Sequence, residues 1–469
     1  MESLLGKKVT VIGLGRFGGG VGVTRWLCSQ GAIVTVSDKA PAEELAESIA
    51  ALRGSDVRLH LGSHKKEDFL QADLLVVNPA VPKDLPLLRK AIAAGVPRTT
   101  EINLFLQRCP APVVGVTGSV GKSTTTAMIG EILRRRFTTH VGGNIGRSLL
   151  EELPNIRPDH VVVLELSSFQ LEDLPIIGIS PHVAVVTNLL PNHLDRHKTM
   201  RAYAAAKKNI YRFQTRHDVL ILTADCPRVS KWANIGKVTY FCAQPRPSGR
   251  KKIGDCPYFP GTVTYFSPRP RPSGGRKIGD CRYFHFELKV PGEHNQADAQ
   301  AAWAGARQFG IDRATAAAAL RDFTGLPHRL QFVTQRDGVR YYNDSKCTTP
   351  EGGIVALKAF EPRKIVIIVG GSDKHVSFSK FGSALARRAK AVIGIGQTRK
   401  KILRAVEAAR RGKAPVVQEA RDLASAIALA KQQAVTGDVV LLSPACASYG
   451  MFRNYEQRGE LFMKLVRGS

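Results

Sequence analysis

Short apolar runs rich in valine, isoleucine and leucine recur along the chain, and each ends in glycine or small polar residues. They read Lys8–Gly13 (KVTVIG), Ala32–Ser37 (AIVTVS), Leu74–Val77 (LLVV), Val113–Val116, Val161–Leu164 (VVVL), Val183–Val186 (VAVV) and the Leu441–Ser448 stretch LLSPACAS. Runs this short, bounded by turn signals, predict buried strands. The segments between them are long enough for helices, and after Thr117 the apolar positions Ile129, Ile132 and Leu133 fall at helical spacing. Strand and helix in alternation predict an α/β fold with mostly parallel sheets. No run approaches the ~18 apolar residues of a membrane span, and Met1–Val11 is too short and polar for a secretory leader, so a cytoplasmic protein is expected, with no membrane partner.

Length and composition narrow this further. A chain of 469 residues predicts two to four domains, and 43% hydrophobic with 23% charged residues is ordinary globular usage, which excludes wholesale disorder. The eight cysteines form no CxxC pair, so neither a zinc ribbon nor a disulfide scaffold is expected.

The net charge of +29 is unusual and raises the possibility of a nucleic-acid partner. Cutting at Pro110 and Leu330 gives 14 basic against 11 acidic residues, then 30 against 17, then 24 against 11. Part of the middle excess lies in a tandem duplication. The segment from Val238 to Phe259 returns from Val263 to Phe284 with 16 of 22 positions identical, and it carries Pro-Arg-Pro-Ser-Gly stretches between copies of VTYF. Two copies are too few for a solenoid. A solvated insertion over about 238–284, with short strands and exposed turns, is the expectation.

Two glycine loops carry candidate chemistry. Gly13, Gly15 and Gly18 form a GxGxxG that follows a strand and opens a helix, and Asp38 ends the next strand 20 residues later. That order predicts a dinucleotide or nucleotide-sugar site, the glycines admitting a diphosphate to a helix N-terminus. The second loop, TGSVGKSTTT from Thr117, predicts ATP or GTP binding. Gly118 and Gly121 free the backbone, Lys122 offers a cation to the phosphates, and Ser123 or Thr124 a hydroxyl to Mg2+. Val116 stands where the strict GxxxxGK motif has its first glycine. At neighbouring strand ends, Glu165 with Ser167 and Ser168, and Asn188 with His193 and Asp195, are candidates around that loop, with Glu165 and His193 able to hold a second Mg2+.

These motifs, together with GGNIG (Gly142–Gly146), HLDRH, GEHNQADAQAA, GLPHRLQFV, NDSKCTTP and SPACAS with NYEQRG, resemble in kind and order those of the Mur ligases. The C-terminal motifs are similar to the branch that adds D-glutamate to UDP-N-acetylmuramoyl-L-alanine in peptidoglycan synthesis. The resemblance implies three domains: an N-terminal Rossmann-like domain (1–110) for the UDP substrate, a central P-loop ATPase-type domain (111–327), and a C-terminal Rossmann-like domain (328–469) for the amino acid. It implies ATP, two Mg2+ ions and a monomer.

By motif, Gly118, Gly121, Lys122, Ser123, Thr124, Asn295, Arg329 and Asp344 would bind ATP, with His294 nearby and Lys346 at a domain interface. Gly13, Gly15, Gly18, Asp38, Asn78, Asn144 and Ser167 would bind the UDP substrate, and Asn144 would also face the γ-phosphate. Ser123, Glu165, His193 and a carbamylated Lys207 would hold metal, with Lys208 the alternative for that lysine. Lys122, Lys207, His193 and Asn144 form the catalytic set, and Thr348, Lys374, Ser448 and Tyr455 would hold D-glutamate. Ala80, Asn192 and Tyr449 depart from the family pattern.

Other readings stay open beside this one. They are a Mur-type ligase for a different amino acid and a basic nucleic-acid-binding P-loop NTPase. A nicotinamide dehydrogenase fits less well, because it leaves the phosphate loop idle.

Overall fold

The computed structural model describes residues 3–15, 18–145, 148–232, 235–244, 283–373, 376–412 and 414–468. Positions 245–282 of the duplicated stretch, and Lys374, lie outside the described residues.

Among the described residues the strands form three open sheets. The first contains β1 (Lys8–Ile12), β2 (Ile33–Asp38), β3 (Val57–Leu61), β4 (Leu74–Val77) and β5 (Arg98–Thr99), in the order β3-β2-β1-β4-β5 and parallel throughout. The second contains β6 (Val113–Thr117), β7 (Thr139–Gly143), β8 (Val161–Glu165), β9 (Val183–Val186), β10 (Val219–Thr223) and β11 (Lys237–Phe241), in the order β11-β10-β9-β6-β8-β7 and again parallel. The third contains β12 (Gln331–Arg336), β13 (Val339–Asn343), β14 (Ile365–Val369), β15 (Ala389–Gly394), β16 (Val416–Glu419) and β17 (Val439–Leu442), in the order β12-β13-β17-β14-β15-β16, with β12 antiparallel to β13. Two compact units result. Met1–His285 with Ala297–Ala319 carries the first two sheets, and Phe286–Gln296 with Leu320–Ser469 carries the third.

The apolar runs become strands because helices cover both faces. Every residue of β6, β8, β9, β14 and β17 is buried, as expected of central strands in a doubly covered parallel sheet. In the third sheet the period of two divides one strand between two cores. Ile365, Ile367 and Val369 pack with Phe381, Leu385 and Leu403, while Val366 and Ile368 pack with Leu423, Ile427 and Phe462.

The duplicated stretch corrects one expectation. Its first VTYF copy lies in β11, which pairs with β10 in register Ile221↔Thr239 and buries Thr239 and Phe241. Alternation within KVTYF makes that segment a sheet strand, so an insertion over 238–284 starts too early.

Candidate active site

β6 lies between β8 and β9, so the strand order diverges at its C-terminal end. Ligands sit at such a switch point in doubly wound sheets. The loop that leaves it turns on Gly118 and Gly121, the latter left-handed at φ 81° and capping helix Lys122–Leu133. Val116, standing where a first glycine is usual, is simply a buried residue of β6. A Cβ on Gly118 would lie 1.9 Å from Thr187 Oγ1. Asn188 braces the loop, its Oδ1 accepting from the amides of Ser119 and Val120, both at 3.1 Å, and its Nδ2 donating to Val120 O at 3.0 Å. Ser119 Oγ donates to Leu190 O at 2.8 Å. The loop is thus held in shape by the protein, with Lys122, Ser123 and Thr124 in the first turn of a helix whose N-terminus favours phosphate. Lys122 Nζ reaches back to Ser119 O at 3.3 Å.

Lys207 approaches the same loop from helix Met200–Lys208, which Thr199 caps by accepting from Ala202 N. Its buried Nζ donates to Gly118 O at 2.8 Å and Thr117 Oγ1 at 3.2 Å. Burial first, then Lys122, hold its pKa well below that of an ordinary lysine, with Glu165 opposing. Lys208 instead is exposed, its ammonium 5.5 Å from the Trp232 ring centre. Glu165, buried at the end of β8, accepts from Asn144 Nδ2 at 2.8 Å through Oε1, and its buried Oε2 has no hydrogen-bond partner. Gly143 makes this possible: its φ is 93°, and a Cβ there would lie 2.3 Å from Glu165 O.

A cavity of about 590 Å3 adjoins these residues. Gly13, Gly15 and Asn78 line it from the first sheet, and Asn144, Ser167 and His193 from the second. Ser167 is fixed by a capping box with Gln170. His193 is left-handed at φ 53°, and its ring meets Phe169 edge-on at 5.0 Å. Gly18 caps the helix that follows the first loop. Asp38 has an unexpected role: its Oδ2 accepts from Leu14 N at 2.8 Å and Gly15 N at 3.2 Å. The strand-end acid therefore occupies two amides of the glycine loop from within the protein.

The second unit gathers other predicted residues at the ends of β13 and β17. Asp344 accepts from Ser443 Oγ at 2.7 Å and Leu330 N at 3.2 Å, and burial raises its pKa to about 6. Arg329 is exposed within electrostatic reach of Asp344 and of His294, whose pKa burial and Arg329 push down to about 4. Asn295 donates its Nδ2 to Pro291 O at 2.7 Å, ahead of most of helix Glu293–Ala306. Tyr455 starts helix Tyr455–Arg467, meets His328 edge-on at 5.9 Å and lies under the Lys346 ammonium at 5.8 Å. Ser448 is buried and Thr348 half-buried.

Several residues that shape these sites were not singled out from the sequence. Phe169 and Arg196 line the cavity, and Arg196 sits one turn beyond His193 within HLDRH, a local spacing that could have revealed it. Glu101 lines it as well; burial raises its pKa, and it accepts from Ser148 Oγ at 2.6 Å. Arg458, fully buried, donates to Ser345 Oγ and O at 2.9 and 2.8 Å and to Cys446 O at 3.2 Å, tying the β13 and β17 loops together.

Comparison with known proteins agrees with this geometry. Residues 7–99 match the Mur ligase MurD-like N-terminal domain, 116–306 the Mur ligase middle domain, and 328–446 the Mur ligase glutamate ligase domain. A protein of Roseiflexus sp. (strain RS-1) named UDP-N-acetylmuramoylalanine--D-glutamate ligase is 40% identical over 469 residues, covering 99% of each chain. Its namesake in Symbiobacterium thermophilum is 41% identical over 98% of each. Among solved structures, UDP-N-acetylmuramate-alanine ligase MurC from Thermotoga maritima superposes with a TM-score of 0.59 at 22% identity, over 98% of this chain and 99% of that one. MurF ligase from Thermotoga maritima in complex with ADP gives 0.53 at 17% identity over 100% of both. With all three domain models matched in order, and relatives at this identity along nearly the whole length, the chain belongs to the Mur ligase family.

Proposed function

We propose that the chain is an ATP-dependent ligase that joins D-glutamate to UDP-N-acetylmuramoyl-L-alanine, with domains at 1–110, 111–327 and 328–469. One observation carries the chemistry: Lys122, Lys207 and Glu165 converge on a phosphate loop beside a cavity lined by Asn144, Ser167 and His193. The relatives named for D-glutamate addition supply the substrates.

A carboxylate resists attack by an amine because the leaving group would be oxide. Transfer of the γ-phosphoryl group to the alanyl carboxylate forms a carboxyl O–P bond, breaks the bond to the β-phosphate oxygen, and releases ADP. The amine of D-glutamate then attacks the acyl carbon. A C–N bond forms, the C–O bond to phosphate breaks through a tetrahedral intermediate, and the amine loses its proton. The first step brings two anions together, so the cation on Lys122 and the loop amides at the helix N-terminus lower its barrier. Asn144, held by Glu165, orients groups at the γ-phosphate. Asp344 and Arg329 serve the nucleotide, and Thr348, Ser448 and Tyr455, together with Lys374, serve D-glutamate, which carries two carboxylates.

The residues present suit Mg2+. Among the described residues no three His, Cys, Asp or Glu side chains cluster into a metal site, yet Glu165 keeps one buried oxygen without a hydrogen-bond partner. A single carboxylate completed by phosphate oxygens is how Mg2+ is commonly held. Glu165, the Ser123 hydroxyl, His193 and a carbamate on Lys207 would hold two such ions, which supply charge neutralisation to the phosphoryl group. The buried, low-pKa amine of Lys207 supports carbamylation, since CO2 adds to the neutral amine; Lys208 lacks that environment.

The test is phosphate release from ATP across a substrate panel. Release that requires both UDP-N-acetylmuramoyl-L-alanine and D-glutamate is expected. Equal release with L-lysine or diaminopimelate would move the chain to another branch, and release stimulated by DNA or RNA at physiological salt would favour a nucleic-acid NTPase.

A further inference from the structure

The cavity beside the phosphate loop contains a cation that no step so far has used. Among the described residues lining it, Arg196 is the one lysine or arginine. It lies in the short helix Leu194–His197 that His193 caps, and its guanidinium lies 4.2 Å from the centre of the Phe169 ring, which is itself a cavity wall. A guanidinium over an aromatic ring is attracted to it while its N–H groups stay available to donate.

The charges behind it do not neutralise it. Glu172 and Asp173 are the carboxylates of this cluster, and Lys83, Arg98 and Arg196 are its permanent cations. Asp173 takes Lys83 at 2.6 Å and Arg98 at 3.5 Å. Glu172 takes Lys83 at 3.2 Å and His197 Nδ1 at 3.2 Å, and reaches Arg196 Nη2 only at 4.0 Å. His197 Nε2 is engaged by Ser168 Oγ at 2.9 Å. Three cations thus share two carboxylates, and Arg196 has the longest contact. Its Nη2 is buried without a hydrogen-bond partner, while about a quarter of the side chain remains accessible. An under-neutralised guanidinium on a partly accessible side chain that lines a cavity is a receptor for an anion.

We propose that Arg196 holds an anionic group of the sugar-nucleotide substrate, either a phosphate of its diphosphate or its terminal carboxylate. The inference rests on the proposed function and adds a substrate-positioning residue to it. Phe169 and Glu172 orient the guanidinium, and the substrate anion completes its hydrogen bonds.

Equilibrium binding of UDP, of UDP-N-acetylmuramoyl-L-alanine and of ATP to the wild-type chain and to Arg196→Gln tests this. The variant should bind the sugar nucleotide about 10- to 100-fold more weakly, as for loss of a charge-assisted hydrogen bond, with ATP binding unchanged. Weaker UDP binding as well assigns the diphosphate, and unchanged UDP binding assigns the carboxylate. Sugar-nucleotide affinity within about twofold of wild type, at unchanged melting temperature, overturns the proposal. Should the variant fail to fold, a crystal structure of the wild-type chain with the sugar nucleotide decides. An anionic oxygen within about 3.2 Å of the guanidinium supports the proposal, and a bound substrate with none there overturns it. A wild-type chain that does not bind the sugar nucleotide at all overturns the parent function, whereas binding unaffected by the substitution overturns this inference alone.

Discussion

Lys207→Met probes the buried amine beneath the phosphate loop. The substitution keeps length and apolar bulk while removing donors to Gly118 O at 2.8 Å and Thr117 Oγ1 at 3.2 Å. Two such hydrogen bonds are worth about 1 kcal/mol each, and relief of desolvation and of repulsion from Lys122 offsets them, so stability at neutral pH should change by less than about 2 kcal/mol. The pH dependence is more telling. In the folded chain the amine titrates well below its ordinary value of 10.5, and in the unfolded chain at that value. Between the two values the unfolded state binds one more proton, so folding stability rises with pH there. Below the folded value both states are protonated and the contribution is flat. Relative to the variant, wild type should therefore gain up to about 1.4 kcal/mol per pH unit as pH rises toward 10.5. Urea unfolding of both proteins between about pH 8.5 and pH 10, in buffer freed of CO2 so that no carbamate forms, measures it. Parallel stability curves would refute the assignment of a buried, neutral amine.

Three further substitutions have distinct outcomes. Lys122→Ala should reduce phosphate release to less than about a tenth of wild type while leaving sugar-nucleotide affinity nearly intact, measured by the coupled assay and by titration. Gly143→Ala places a Cβ 2.3 Å from Glu165 O at a φ of 93°, so it should lower stability by about 2 kcal/mol or more and release the Asn144–Glu165 contact; melting curves and activity read both effects. Arg458→Met strands the carbonyls of Ser345 and Cys446 in the interior, which should cost about 3 kcal/mol in denaturant unfolding and raise the KM for D-glutamate more than that for ATP.

What the sequence revealed and what it hid follow from chain distance. The phosphate loop and the first glycine loop were legible because strand, turn and helix are consecutive, and Gly121 and Gly18 do take the left-handed positions that such turns need. The partners of those loops were not. Asn188 braces amides 68 and 69 residues away, and Arg458 binds Ser345 across 113 residues, contacts that parallel topology creates and local pattern does not encode. Asp38 was found by its spacing, but its bonds to Leu14 N and Gly15 N needed the fold. The repeat hid β11, because sequence identity between the VTYF copies cannot say that the first one extends the sheet at β10. The charge cluster around Glu172 and Asp173 draws on Lys83 and Arg98 from the first sheet's segment, so its surplus at Arg196 was invisible in segment totals.

The most direct test follows an oxygen atom. UDP-N-acetylmuramoyl-L-alanine labelled with 18O in its alanyl carboxylate is turned over with ATP and D-glutamate, and the released phosphate is weighed by mass spectrometry. An acyl-phosphate route through Lys122 and the phosphate loop predicts one 18O atom in each phosphate and none in ADP. Unlabelled phosphate, or label appearing in AMP, would contradict it.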